Sequence, residues 1–96
     1  MPAHVIILAR PHPERAEDAV RYSQAVQPLL IAAGAKPIIR GPVSKTLATA
    51  DAPSTGMVIE FPDHGAATGF FAQEAYQALI PLRDESFAVM EIHIVG

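Results

Sequence analysis

Apolar residues alternate with polar ones, or recur at helical spacing, in six stretches of this chain. Val5 to Ala9 is a short aliphatic run closed by Arg10-Pro11-His12-Pro13. Its prolines hold the preceding residues extended, so a strand followed by a turn is predicted. From Glu14 onward Ala16, Ala19, Val20, Ala25 or Val26, Leu29, Leu30 and Ala33 recur at roughly helical spacing behind an acidic first turn, with Gly34 as the stop. Pro28 lies inside this pattern and predicts a kink or a restart, because proline removes one backbone donor and crowds the turn before it. Lys36 to Leu47 reads as a second extended segment bent at Arg40-Gly41-Pro42, and Ala48 to Thr55 as a loop of small residues. Gly56 to Phe61 is a third strand. Asp63 is placed to cap a helix running through Ala66, Ala67, Phe70, Phe71, Tyr76, Leu79 and Ile80 to Pro81. From Ser86 to Val95 the alternation is nearly clean. Ala88, Met90, Ile92 and Ile94 share one face, and Phe87, Val89, Glu91, His93 and Val95 share the other.

Strand, helix, strand, strand, helix, strand is the split βαβ order of a ferredoxin-like α+β fold. Two right-handed crossovers then give a four-stranded antiparallel sheet of order 4-1-3-2 with both helices on one face. Met57, Ile59 and Phe61 should face the helices together with the apolar side of the last strand. The opposite sheet face keeps too much apolar bulk to stand bare in water, which points to an interface. Residues 1–96 form one domain on this reading, since 96 residues lie below the usual span of two.

The ordered set Arg40-Gly41-Pro42-Val43, Glu60-Phe61-Pro62-Asp63, Ala66-Ala67, Phe70-Phe71, Tyr76-Gln77 and Arg83 resembles the domain-of-unknown-function family numbered 1330, over almost the whole chain. The resemblance implies a homodimeric α/β barrel in which two ferredoxin-like sheets meet face to face, in a family with no established general activity. The chain departs from the family pattern at Leu8, at Ala33-Gly34-Ala35, at Leu47-Ala48-Thr49 and at Gln73-Glu74-Ala75.

Composition narrows the function classes. Seven basic against ten acidic residues leave a formal charge of -3, which argues against nucleic acid or anionic membrane as partner. With no cysteine there is no disulfide framework, thiolate nucleophile, zinc ribbon or iron–sulfur ligation, in keeping with a cytoplasmic protein. The apolar start is too short for a membrane span and reads as the first strand of a mature soluble protein. Ser44-Lys45-Thr46 lacks the glycines of a phosphate-binding loop. The chain also lacks a three-glycine dinucleotide turn, a nucleophile elbow and a zinc helix. No cofactor is called for.

Three groupings remain as candidate chemistry. Arg40 and Glu60 share a parity that would put both on the uncovered sheet face. There they would pair across the hairpin, or hold a substrate carboxylate beside a base; the structural reading is favoured. Tyr76 near Arg83 would line the mouth of a pocket between helices and sheet, since a buried phenol needs a polar partner. His4 should lie beside His93 on neighbouring strands, with Glu91 along the same face. Two histidines and a carboxylate are a metal-ligand set, although polar rim residues are the simpler account and no metal is favoured. The expectation is a homodimer binding a small organic molecule. The alternatives are a cofactor-free monooxygenase or isomerase acting on a small aromatic or lactone substrate, and a purely structural dimer.

Overall fold

The computed structural model describes all residues, Met1–Gly96. Strand β1 spans Ala3–Pro11 and a single 3₁₀ turn spans Pro13–Arg15; helix α1 spans Ala16–Ala32, strand β2 Lys36–Pro42 and strand β3 Thr55–Phe61. Helices α2 (His64–Ala72), α3 (Glu74–Gln77) and α4 (Ile80–Ser86) then lead into strand β4, Phe87–Val95. The sheet is antiparallel throughout with order β2-β3-β1-β4, which read from its other edge is 4-1-3-2. The fold is α+β and ferredoxin-like.

Local signals account for most boundaries. Gly34 adopts φ 71°, where a side chain would be strained. Around it Gly34 N–H donates to Ile31 O and Ala35 N–H to Leu30 O, both at 3.1 Å, a Schellman closure of α1. At the start of α2 the Asp63 carboxylate accepts from Ala66 N–H at 2.7 Å. Pro28 does not end α1, which is one element from Ala16 to Ala32 with the proline on its exposed side.

The second helical stretch is three helices rather than one. Gln73 takes an extended conformation (φ -66°, ψ 148°) between α2 and α3. Its side-chain amide donates to Phe70 O at 3.0 Å and that of Gln77 to Phe71 O at 2.6 Å, so two carbonyls freed at the end of α2 are satisfied by glutamines. Strand β2 ends at Pro42, short of the predicted Leu47.

The core lies between the sheet and the helices. Ala3, Val5, Ile59 and Phe61 rise from the sheet to meet Tyr22 of α1, Ala67 and Phe70 of α2 and Tyr76 of α3. Phe61 and Phe70 pack at 5.5 Å and Phe70 and Tyr76 at 5.7 Å. Only 12 of the 96 residues are buried, because one sheet face has no layer over it.

Two register shifts rearrange the faces. Between Arg10 and Pro11, β1 passes from pairing with Val89 to pairing with Phe87, skipping Ala88. Phe87 therefore turns inward onto Tyr22, ring centroids 5.6 Å apart, rather than outward with Glu91 and His93. On β2 the shift falls between Pro37 and Ile39, and it moves every later residue of that strand to the other face.

Candidate functional site

On the helix side, a polar network sits inside the aromatic core. Tyr22 belongs to the buried stripe of α1 with Ala19 and Val26, and Tyr76 is set by the short α3 that the Gln73 break creates. Their hydroxyl oxygens lie 2.8 Å apart, and Arg83 Nη1 of α4 donates to the Tyr76 hydroxyl at 3.1 Å. Arg83 Nε also donates to Asp84 Oδ1 at 3.1 Å. The tyrosines are 7% and 1% exposed. Burial pushes the Tyr22 phenol well above its ordinary pKa; the bond to Tyr76 adds to this and the Arg83 charge partly opposes it. For Arg83, burial disfavours the charge, but the bonds to Tyr76 and Asp84 outweigh it and the guanidinium pKa is raised.

Tyr76 and Arg83 thus come together as their sequence positions suggested, but not at the mouth of an open pocket. Phe70 and Phe71 pack on the Tyr76 ring, the latter edge-on at 5.0 Å. Tyr22 was the missing partner. Its signal in the sequence is a phenol in the middle of a buried helical stripe, where the hydroxyl must find another polar group.

The uncovered sheet face carries the second set. Cross-strand partners share a face, so Lys36, Glu60, His4 and Val95 form one row across β2, β3, β1 and β4. Ile39, Val58, Ile6 and His93 form the next, and Gly41, Gly56, Leu8 and Glu91 the third. A groove of about 250 Å³ runs over Ile6, Leu8, Ile39, Val43, Gly56 and Val58. At its edges His4 Nε2 meets Glu60 Oε1 at 3.2 Å and His93 Nε2 meets Glu91 Oε1 at 3.1 Å.

Two expectations need correction here. Arg40 does not pair with Glu60: it lies opposite Met57, whose side chain packs toward the helices, while Lys36 lies opposite Glu60. The register shift after Pro37 is the cause. His4 and His93 do sit on one face at one end of the sheet, as a diagonal pair, since His4 is opposite Val95. Each turns to a different carboxylate, however, and His4, Glu91 and His93 do not gather: no group of three or more His, Cys, Asp or Glu could hold a metal ion.

Fold and motifs converge on one family. Residues 4–96 match the model described as Domain of unknown function (DUF1330). The chain belongs to that family. Comparison with curated proteins finds no match. Among solved structures, a protein of unknown function from Rhodopseudomonas palustris is similar with a TM-score of 0.81 at 17% identity, over 98% of this chain and 80% of that one. A dimeric ferredoxin-like protein of unknown function from Jannaschia sp. CCS1 is similar with a TM-score of 0.78 at 11% identity, over 100% and 99%. A candidate antibiotic biosynthesis monooxygenase from Caulobacter crescentus CB15 shares the fold with a TM-score of 0.70 at 9% identity, over 98% and 87%. These identities carry the fold and no activity. No helix of this DUF1330 member is long and apolar enough to cross a membrane.

Proposed function

We propose that the chain works as a homodimer whose two uncovered sheet faces meet and hold a small organic molecule between them. The observation that carries this reading is the apolar floor of Ile6, Leu8, Ile39 and Val58, left without a covering layer in a domain with few buried residues. A second copy is the favoured occupant because the face carries both charge signs, Lys36 beside Glu60 and Glu91, and so suits a twofold copy of itself. The Jannaschia neighbour, described as dimeric, supports a dimer. Gly41 and Gly56 leave a hollow in the floor. Two facing grooves of this size together reach the range of small-ligand pockets, roughly 300 to 1,000 Å³. A cytoplasmic setting belongs to the proposal.

The enzymatic alternative, a cofactor-free monooxygenase or isomerase, draws on the fold shared with the Caulobacter protein. Each histidine on this face is already bonded to a neighbouring carboxylate, His4 to Glu60 and His93 to Glu91, which favours binding over acid–base catalysis.

Sedimentation equilibrium at micromolar concentration should give twice the chain mass, and Val58→Asp should give a folded monomer, since it would bury a carboxylate against the partner. A screen of small aromatic and carboxylated compounds should find one that raises Tm of the dimer but not of that variant. A wild-type monomer would overturn the reading.

A further inference from the structure

The two glycines of the uncovered sheet face stand directly opposite one another, Gly41 on β2 and Gly56 on β3, and Leu8 of β1 is the next residue in the same row. Over this pair the sheet carries no side chain. A carbon at the Cβ position of Gly56 would lie 3.5 Å from Leu8 Cδ2 and 3.9 Å from Val43 Cγ2, ordinary contact on both, while one on Gly41 would meet nothing within 4 Å. Leu8 and Val43, the residue that follows β2, therefore wall a slot one carbon wide over Gly56 that opens over Gly41. It is part of the groove of about 250 Å³ and is open to solvent in the single chain.

Width and chemistry together select an occupant. Carbon atoms attract best at about 3.5 to 4.0 Å, so a flat ring standing edge-on in the slot meets both walls at contact distance. A saturated ring of the same size is puckered, carries hydrogens on both faces and would force the walls apart. The side chains of the walls bear no polar or charged atom, which disfavours a charged group here, because burying one without a partner is costly. Nor does a second copy of the chain supply the occupant. Its sheet face offers Ile6, Leu8, Ile39 and Val58, all branched and thicker than one carbon. All four phenylalanines and both tyrosines pack among themselves on the helix side, and there is no tryptophan.

We propose that the slot over Gly41 and Gly56 binds a planar, uncharged aromatic ring, and that flatness is what the chamber selects in its ligand. The ring enters over Gly41, with its faces against Leu8 and Val43 and its edge on the Gly56 backbone. An aromatic ring laid over an edge-strand glycine restores the packing that the missing side chain forgoes. This assignment deepens the chamber reading and rests on it, since the partner's sheet face closes the slot from above.

The probes are 2-naphthol and trans-decahydro-2-naphthol, which share a carbon skeleton and a hydroxyl and differ in flatness. By titration calorimetry the wild-type dimer should bind the naphthol about tenfold or more tightly, the scale on which an apolar pocket discriminates one carbon's worth of shape. Gly56→Ala places a methyl in the slot at ordinary contact distances and at a φ that is not positive. It should keep the dimer mass in sedimentation and weaken naphthol binding about tenfold or more. Val43→Ala removes one wall, so it should admit the saturated alcohol and erase the preference. Should Gly56→Ala fail to fold, this second variant decides. Equal binding of the two alcohols by the wild-type dimer, or binding of neither, would overturn the slot and leave the dimer standing. So would undiminished naphthol binding in a dimeric Gly56→Ala, or an unchanged preference in Val43→Ala. A wild-type monomer would instead overturn the chamber, and the slot with it.

Discussion

Tyr22 and Tyr76 reach each other across 54 residues of chain and bring two hydroxyls into the aromatic core, where Phe61, Phe70 and Phe71 exclude water. The pair makes stability depend on alkaline pH. The Tyr22 phenol is raised first by burial and then by its bond to Tyr76, whereas in the unfolded chain it ionises near pH 10. Above that pH the unfolded state has released a proton that the native state retains, so this contribution is complete below about pH 10 and is lost as pH rises beyond it. In a spectrophotometric titration the Tyr22 share of the tyrosinate signal should therefore appear only together with loss of near-ultraviolet circular dichroism. Tyr22→Phe should flatten the fall of stability with pH. A signal equal to both rings in protein that is still folded would contradict the assignment.

Among the elements, α1 tolerates a proline that its own backbone bonding disfavours. Pro28 cannot donate to the Gln24 carbonyl and its ring crowds the preceding turn, yet α1 runs through it because Tyr22 and Val26 before it and Leu29 and Leu30 after it pack into the core. Proline in a helix interior costs about 3 kcal/mol relative to alanine, and up to about 1 kcal/mol returns through a stiffer unfolded chain. Pro28→Ala should accordingly raise the urea midpoint by the equivalent of about 2 kcal/mol. A fall instead would show that α1 needs a bend at Pro28 to seat its two halves. The other elements trade local preference for packing in the same way. The stretch after Asp63 breaks at Gln73, and the short α3 that follows is what delivers the Tyr76 hydroxyl to Tyr22 and Arg83.

Across the whole molecule the dominant fact is asymmetry between the two sides of the sheet. One is closed by α1, α2, α3 and α4, and the other shows Ile6, Leu8, Ile39 and Val58 around two glycines. Gly41 is well suited to probing the chamber: its φ is not positive, and an added Cβ would meet nothing within 4 Å. Gly41→Ile should leave the dimer mass unchanged in sedimentation while abolishing the Tm rise given by any ligand found in the screen. If that rise survives intact, the ligand is not held between the sheets. The uncovered face also bears on the third alternative, a purely structural dimer, which requires the filled variant to be at least as stable as the wild type and no ligand to be found.

Element type and order were legible in the chain because they rest on local chemistry: alternation in the strands, helical spacing behind acidic residues or Asp63, and prolines and glycines at the joins. The family motif and the antiparallel order followed from these, as did the proximity of Tyr76 to Arg83, one turn and a short helix apart. What tertiary structure decided was which face several side chains occupy. One extra residue in a strand inverts the parity of everything beyond it, and whether a strand takes up that residue depends on its partner. The shift after Pro37 therefore sends Arg40 away from Glu60, and the one at Pro11 turns Phe87 inward onto Tyr22. The Tyr22–Tyr76 contact was hidden for a related reason. Helical spacing shows that each ring is buried, but only the packing of α1 against α3 and α4 on a common sheet brings the two hydroxyls within a hydrogen bond.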